Sequence, residues 1–304
     1  MVVRIISAVI GIAVLVGVLL CPYTIVLAAA AAVLSAIAVW ELLRNTGKVK
    51  NLVQVIGGML FSATSVMLMY DIRRLLNDKL LLMDDDVKKL LMILLAMPMA
   101  YALFTAVVYL FNHKKMSSND ACYGFLLTLY PTIGFGCIAM IRELRTHGLW
   151  TLILLLVVAW MSDTGAYFVG TFLGKHKMAP KISPKKSWEG FFGGWLIAVL
   201  SAVGVFMLRP VIENMYGSGL FYALYFYLPV VFILAPLSVV GDLLASVIKR
   251  KCGIKDFGNI MPGHGGVMDR FDSVLLIAPI LYYIAENAPY IRGNLVGLIS
   301  DLLG

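Results

Sequence analysis

The sequence has few charged side chains for its length. Asp, Glu, Lys and Arg together make up 14% of the 304 residues, hydrophobic residues make up 61%, and the mean hydropathy is +0.91. Soluble globular domains carry about 25% charged residues, so this composition excludes a water-soluble domain of ordinary surface. The apolar segments also follow one another too closely for an aqueous domain to fit between them. We therefore predict a single membrane domain over residues 1–304.

Paired cysteines and internal repeats are also missing. The four cysteines have neither disulfide-framework nor metal-site spacing, and we interpret them as packing residues: Cys21, Cys122, Cys137 and Cys252. The chain has no internal repeat of the kind common in secondary transporters, which counts against transport. The net charge of +8 is expected from Lys and Arg in cytoplasmic loops, so we expect no nucleic-acid partner.

Long apolar runs make up most of the chain. About 20 apolar residues cross the hydrocarbon core as a helix. The sequence has nine candidate spans: 5–21, 24–40, 52–70, 90–111, 121–141, 149–170, 191–208, 221–240 and 272–286. Because the second run follows the first at once, we expect an uncleaved N-terminal hairpin. The predicted fold class is all-α: a polytopic integral membrane helix bundle of about nine transmembrane helices, with a polar active-site cavity facing the cytoplasm.

The distribution of basic residues predicts the orientation in the membrane. With the N-terminus in the cytoplasm, 16 of the 25 Lys and Arg residues fall on the cytoplasmic side, as the positive-inside rule requires. The main exception is the stretch 71–89, where basic residues alternate with aspartates on the predicted outer side. We interpret this stretch either as an interfacial amphipathic helix or as a solvated loop of mixed charge.

One polar block, residues 241–273, lies between two strongly apolar spans near the C-terminus. If the preceding helix continues into this block, Asp242, Ser246 and Lys249 share one helix face, because they are spaced four and three residues apart. That face offers a carboxylate, a hydroxyl and a cation. Charged residues held close to lipid usually mark function.

The second half of the block combines carboxylates with glycines. Asp269 and Asp272 lie three residues apart and point the same way from the last span. Residues 262–266 are too glycine-rich for a helix and predict a backbone cradle for an anion. Phosphoryl or nucleotidyl transfer needs such a set, because aspartate oxygens hold Mg²⁺ and cations neutralise phosphate. We predict an Mg²⁺ site at Asp242 and Asp269. The alternative is an ordinary basic loop with scattered salt bridges.

A second polar segment lies further upstream. Asp163, Tyr167, Gly170 and Gly174 are spaced four, three and four residues apart, and this shared helix face either lines a site or forms a packing groove. The lysine-rich loop 181–190 follows, and we expect it to bind a triphosphate, a lipid phosphate or anionic lipid in general. The end of that loop also fits a helix start with an interfacial tryptophan.

The polar block resembles the signature of a known enzyme family. From Ser246 to Asp272 it is similar to the signature of phosphatidate cytidylyltransferases, also called CDP-diacylglycerol synthases, and departs from it only in the apolar residue Met261. The segments 160–177 and 181–190 resemble the same enzymes. The resemblance implies CTP and phosphatidate as substrates, CDP-diacylglycerol and pyrophosphate as products, Mg²⁺ as the cofactor, and phospholipid biosynthesis as the setting.

The resemblance also implies roles for individual residues. The catalytic set comprises Asp242, Lys249, Arg250, Lys255, Asp256, Asp269, Arg270 and Asp272. The substrate-binding set comprises Asp163, Tyr167, Ser183, Lys185, Lys186, Ser187, Ser246, His264, Gly265 and Gly266. The expected site therefore lies within residues 149–273. Residues 1–115 have no motif linked to catalysis, and shaping of a lipid cleft or oligomerisation, as in a homodimer, is left open for them.

Two rival functions stay open. An anion transporter or channel also needs intramembrane acids and basic loops, but it does not explain why acids, cations and glycines gather on one membrane side. Another membrane enzyme that uses CTP, acting on a polyprenol or an ether lipid, shares the phosphate chemistry and differs in its lipid groove. Without a eukaryotic targeting segment, we expect a bacterial inner membrane with the active site facing the cytoplasm.

Overall fold

The computed structural model describes residues 2–21, 24–78, 84–144, 147–213, 218–260, 263, 265–288 and 290–291. Within them the chain forms nine α-helices: α1 (Val2–Leu20), α2 (Thr24–Trp40), α3 (Leu52–Asp78), α4 (Asp84–Asn112), α5 (Ser118–Arg142), α6 (Gly148–Leu173), α7 (Trp188–Glu213), α8 (Ser218–Lys251) and α9 (Met268–Glu286). A π-helical turn, Glu41–Asn45, extends α2, and two short strands, β1 (Lys177–Ala179) and β2 (Ser183–Ser187), precede α7. Each of the nine predicted spans lies in a helix of its own, which confirms the all-α prediction.

Hydrophobic length makes this bundle an integral membrane protein. Seven of the described helical segments are long and apolar enough to cross a membrane, and they belong to α2 through α8. Many large apolar side chains on these helices are exposed, such as Leu95, Leu103 and Phe172. Such a surface is expected to face lipid, because water would penalise contiguous apolar area of this size.

Small residues decide how closely the helices near the polar block approach. A Cβ atom on Gly165 of α6 would collide with Ile197 of α7, and one on Gly194 would collide with the backbone of α6. A Cβ on Gly241 of α8 would likewise collide with the carbonyl of Asp272 in α9. Close approach through small residues is the usual way for helices to pack in lipid. The packing holds α6, α7, α8 and α9 together around their polar ends.

The mixed-charge stretch 71–89 differs from both interpretations of the sequence. Helix α3 continues to Asp78 and α4 begins at Asp84, so most of the stretch extends two spanning helices. The reason is visible at Arg73, which is buried and makes a two-pronged ion pair with Glu286 at the end of α9, with N–O distances of 2.6 and 2.7 Å. A bidentate pair of this kind engages both terminal nitrogens of the guanidinium, whereas its buried Nε has no hydrogen-bond partner among the described residues.

This ion pair yields a stability prediction at the end of the bundle opposite the polar block. Replacing Glu286 with alanine is expected to lower the free energy of unfolding by about 3 kcal/mol, because the Arg73 guanidinium is left buried without its carboxylate. Thermal or denaturant unfolding in detergent measures the loss. The double variant Arg73→Met with Glu286→Ala should recover much of it. A double variant whose loss equals the sum of both single losses would contradict the pairing.

Candidate active site

Three carboxylates from three helices meet within the bundle. Asp242 of α8 lies within hydrogen-bonding reach of Asp272 of α9. The hydroxyl of Ser273 donates to Asp163 Oδ2 of α6 at 2.9 Å and also lies 3.4 Å from Asp272 Oδ1. We call Asp163, Asp242 and Asp272 the carboxylate cluster. Like charges repel at such distances, so the cluster requires cations.

The carboxylate cluster lies well inside the helical part of the chain. Asp163 precedes Leu173, the last residue of α6, by ten positions, which is roughly 15 Å along the helix axis. Asp272 is 6% exposed, and the hydroxyl of Tyr130 in α5 donates to its backbone carbonyl at 3.1 Å. Ionisable side chains at this depth in a membrane protein are costly and are typically functional.

A lysine from outside the helices reaches this cluster. The first part of the predicted loop 181–190 belongs to an antiparallel β-hairpin, formed by β1 and β2, and its last three residues begin α7. Along β2, Lys185 is exposed and Lys186 is half-buried. The Nζ atom of Lys186 lies 2.6 Å from Asp242 Oδ2, and both side chains are largely buried. The hairpin thus supplies one of the cations that the cluster needs.

The end of the hairpin has a structural task. Ser187 is 2% exposed, and its hydroxyl accepts a hydrogen bond from the backbone N–H of Gly190 in the first turn of α7. Its side chain also fills the space beside Gly170 and Gly174 of α6, where a Cβ atom would crowd it. Ser187 therefore starts and packs α7, the alternative that its position in the sequence indicated. At Gly170 and Gly174 the α6 face thus forms a packing groove, which is one of the two alternatives considered for it.

The remaining members of the α6 face do not share that groove. Asp163 belongs to the carboxylate cluster, whereas Tyr167 is 64% exposed on the outer surface of α6. Next to Tyr167 lies another exposed aromatic residue, Phe168, whose ring it contacts edge-on. The structure therefore divides the predicted face into a polar end, a packed end and an exposed aromatic side chain.

Helix α8 continues to Lys251, which confirms the shared face of Asp242, Ser246 and Lys249. Ser246 is buried, and its hydroxyl lies 3.5 Å from Asp242 Oδ1. Lys249 is also buried, pairs with Asp269 Oδ1 at 2.9 Å, and is close enough to Asp242 and Asp272 to attract both. Lys249 is therefore the second cation of the site, placed between Asp269 and the carboxylate cluster.

Asp269 is fully engaged by the protein. Its Oδ1 atom binds Lys249, and its Oδ2 atom accepts the backbone N–H groups of Phe257 and Gly266 at 2.7 and 3.0 Å. These bonds close the segment between α8 and α9 into a compact loop. Asp269 thus organises the loop, while Asp242 and Asp272 face each other across the helices.

The backbone N–H groups at the end of the glycine-rich turn bind carboxylates of the protein itself. Besides Gly266, the N–H groups of Val267 and Met268 donate to Glu41 Oε1 and Oε2 at 3.0 and 2.8 Å. Of the predicted cradle, residues 262–266, the N–H group of Gly266 is therefore already occupied by a protein carboxylate, and the two N–H groups that follow the cradle are occupied as well. Sequence reasoning missed Glu41, because the groups that it binds lie more than two hundred residues away in the sequence.

The other predicted residues lie around this centre. Arg250 is exposed and donates from Nε to the carbonyl of Ile182 in the hairpin at 3.2 Å. At the same end of the bundle, Lys255, Asp256 and Arg270 are exposed. Ser183 and Gly265 are half-buried. The predicted substrate-binding residue His264 and the signature departure at Met261 lie outside the described residues.

The donor set can be tested against an Mg²⁺ ion. In the described part of the chain, no group of three or more Asp, Glu, His or Cys side chains is arranged to hold a metal by itself. Mg²⁺ commonly takes only one or two protein carboxylates and completes its octahedron with water and substrate phosphates. The facing carboxyls of Asp242 and Asp272 fit that mode, whereas both oxygens of Asp269 are already hydrogen-bonded.

Fold and site together define a polytopic membrane protein with a buried carboxylate and lysine centre of the kind that handles phosphate groups. A model described as the cytidylyltransferase family matches residues 2–287. The chain therefore belongs to the cytidylyltransferase family.

Named relatives agree with this assignment. A phosphatidate cytidylyltransferase of Bacillus subtilis is 34% identical over 243 residues, which are 74% of this chain and 87% of that protein. Phosphatidate cytidylyltransferases of Staphylococcus epidermidis and Staphylococcus aureus are 38% identical over 170 residues, which are 56% of this chain and 61% of each relative. The similarity thus spans less than two thirds of the length of the staphylococcal relatives.

Proposed function

We propose that this chain is a phosphatidate cytidylyltransferase, an enzyme that converts CTP and phosphatidate into CDP-diacylglycerol and pyrophosphate. The observation that carries the proposal is the buried meeting of Asp163, Asp242 and Asp272 with Lys186 and Lys249 inside a membrane bundle. The names of the bacterial relatives support the same reaction. A lipid substrate fits a site enclosed by spanning helices, since its acyl chains stay in the bilayer.

The reaction forms one P–O–P bond and breaks another. A phosphate oxygen of phosphatidate attacks the α-phosphorus of CTP, the bond from that phosphorus to the bridging α–β oxygen breaks, and the electron pair leaves with pyrophosphate. Phosphatidate is already ionised near neutral pH, so no strong base is required. Catalysis therefore consists mainly of positioning two anions and neutralising their charge.

Each part of the site has a proposed task in this reaction. Lys186 and Lys249 approach the carboxylate cluster closely enough to offset charge on the phosphates. The exposed cations Arg250, Lys255 and Arg270 surround the entrance and attract CTP, with Asp256 orienting them. The outer face of the hairpin, with Ser183 and Lys185, contacts substrate phosphate at the membrane surface.

We propose Mg²⁺ as the cofactor. When bound, it polarises phosphate oxygens and neutralises part of the triphosphate charge. Asp242 is its first protein ligand, as the sequence indicated. Asp272 fits the second position better than Asp269, because the Asp269 oxygens are tied to Lys249 and to the loop backbone.

We also propose that the site faces the cytoplasm of a bacterial inner membrane. The contacts of Glu41 with α9, of Lys186 with α8 and of Arg250 with the hairpin gather one set of helix ends around the site. That end carries the majority of the basic residues, as expected for a cytoplasmic side. CTP is supplied there, and the named relatives are bacterial. The homodimer stays a prediction.

A substrate panel tests this function. Purified protein in nanodiscs receives labelled CTP and Mg²⁺ with phosphatidate, an ether-linked phosphatidate analogue or a polyprenyl phosphate. The proposal expects a lipid-linked cytidine product with phosphatidate, and much less with the other lipids. A product only with polyprenyl phosphate would show the rival lipid enzyme. Anion flux through liposomes without any cytidine product would show a transporter.

A further inference from the structure

Glu41 is a buried carboxylate in the part of the chain that has no sequence motif. It begins the π-helical turn at the end of α2 and is 0% exposed. Its two oxygens accept the backbone N–H groups of Val267 and Met268, more than two hundred residues away in sequence. π-helical turns inside α-helices often mark functional positions. The contact therefore joins the N-terminal helices to the loop of the candidate active site.

Backbone N–H groups at a helix end bind both oxygens of the Glu41 carboxylate. The N–H groups that it accepts lie at the N-terminus of α9, where unpaired N–H groups and the helix dipole favour negative charge. Among the described residues, α9 itself offers no side-chain cap at this end. Glu41 thus takes the place of the missing cap from another helix, and α9 depends on it for the direction of its first turn.

The loop is shaped around this carboxylate. A Cβ atom on either Gly258 or Gly266 would collide with the Glu41 side chain. Four residues after Glu41, Asn45 donates from Nδ2 to the carbonyl of Phe257 at 2.6 Å. The π-helical turn therefore holds both ends of the segment between Phe257 and Met268, and two glycines leave the room that it needs.

This contact decides where the site's acids lie. Asp269 follows Met268 directly, and Asp272 lies one helical turn further along α9. Any shift of the first turn of α9 therefore moves Asp272 away from Asp242 and moves Asp269 away from Lys249. A displacement of about 1 Å in a catalytic constellation can lower turnover by about 100-fold.

We propose that Glu41 is a positioning residue of the active site: from the end of α2 it fixes the N-terminus of α9 and the glycine loop, so that Asp269 and Asp272 reach their partners. Its role in turnover rests on the proposed function. Its role in holding the loop does not, because a loop that is held or released is measurable without substrate.

The test compares three variants in nanodiscs. Glu41→Leu keeps the volume but removes both acceptors, whereas Glu41→Gln keeps the shape and one acceptor oxygen. Ser35→Ala is the matched control, since Ser35 is a buried polar residue of the same helix that contacts Ser62 and not the loop. Each protein is assayed for kcat and for the KM of CTP. Limited trypsin cleavage after the exposed residues Lys251 and Lys255 reports on the loop without substrate.

The expected result is a fall of kcat by about 100-fold in Glu41→Leu, with a much smaller change in the KM of CTP. Cleavage between α8 and α9 should become about tenfold faster. Glu41→Gln should recover part of both losses, and Ser35→Ala should match the wild type. If Glu41→Leu does not fold, kcat and the cleavage rate are compared between Glu41→Gln and Ser35→Ala, and that comparison tests the proposal.

Two results would overturn the proposal. The first is a folded Glu41→Leu protein with the kcat and the cleavage rate of the wild type. If the leucine variant does not fold, the same result for Glu41→Gln would overturn the proposal. The second is a Ser35→Ala protein whose kcat falls and whose cleavage accelerates as much as in Glu41→Leu, because the effect would then be general destabilisation. Wild-type protein without cytidylyl transfer would instead contradict the proposed function, and the cleavage comparison would still decide whether Glu41 holds the loop.

Discussion

Replacing Asp242 with asparagine is expected to lower kcat by about 1,000-fold while the protein stays folded in detergent. Asp242 contacts the hairpin lysine, the α8 hydroxyl and the opposing acid of α9. Asparagine keeps the shape but removes the charge, so it weakens the proposed Mg²⁺ site and leaves Lys186 without its counter-ion. Steady-state cytidylyl transfer measures the loss, and size-exclusion chromatography verifies the fold.

An exposed aspartate at the far end of the bundle provides the matched control. Asp71→Asn makes the same chemical change on the surface of α3 and should keep wild-type turnover. Near-normal activity of Asp242→Asn would remove this residue from the catalytic centre. Equal losses in both variants would indicate a general effect of charge on the protein instead.

Removal of the hairpin lysine is expected to have two effects of opposite sign. Lys186→Met should lower kcat/KM by about 100-fold, because a buried cation that neutralises phosphate is lost. The same change should tighten binding of a divalent cation without substrate by about tenfold, because Lys186 neutralises Asp242 in the free protein and competes with the metal. Mn²⁺ binding followed by electron paramagnetic resonance measures the second effect independently of turnover.

The control for this variant lies in the same hairpin. Lys177 is exposed on β1, away from the carboxylate cluster, so Lys177→Met should change neither Mn²⁺ affinity nor turnover substantially. Unchanged or weaker Mn²⁺ binding in Lys186→Met would show that the lysine and the metal do not compete. In that case Asp242 would not hold the cation.

The sequence predicts the helices well for a physical reason. A membrane requires about 20 apolar residues per span, and this requirement leaves a strong local signal in the seven helices α2 through α8. The shared face of Asp242, Ser246 and Lys249 was predictable in the same way, because helix periodicity alone places them together.

Features that depend on distant contacts were not predictable. Glu41 gains its role only through α9, and the groups that it binds there lie more than two hundred residues away in the sequence. The extension of α3 past Tyr70 depends on the partner of Arg73 at the far end of the chain. The hairpin is too short to show a sequence pattern, and only the structure reveals that Lys186 and not Lys185 reaches Asp242.

The division of tasks among the acids also required the structure. The sequence predicts an Mg²⁺ site at Asp242 and Asp269, and spacing alone does not reveal that Asp269 is occupied by other partners. Three hydrogen bonds tie Asp269 to Lys249 and the loop, whereas Asp272 meets Asp242. The structure also explains why glycine occupies positions 258 and 266 of the polar block. A side chain at either position would collide with Glu41.

The most direct test of cytidylyl transfer follows the two ends of the CTP triphosphate. Nanodisc-bound protein with phosphatidate and Mg²⁺ receives CTP labelled either at the α- or at the γ-phosphorus. The proposed reaction predicts that the α label enters the lipid fraction in proportion to the γ label released as pyrophosphate, and that Asp242→Asn abolishes both. A γ label in the lipid fraction, or pyrophosphate release without labelled lipid, would contradict it.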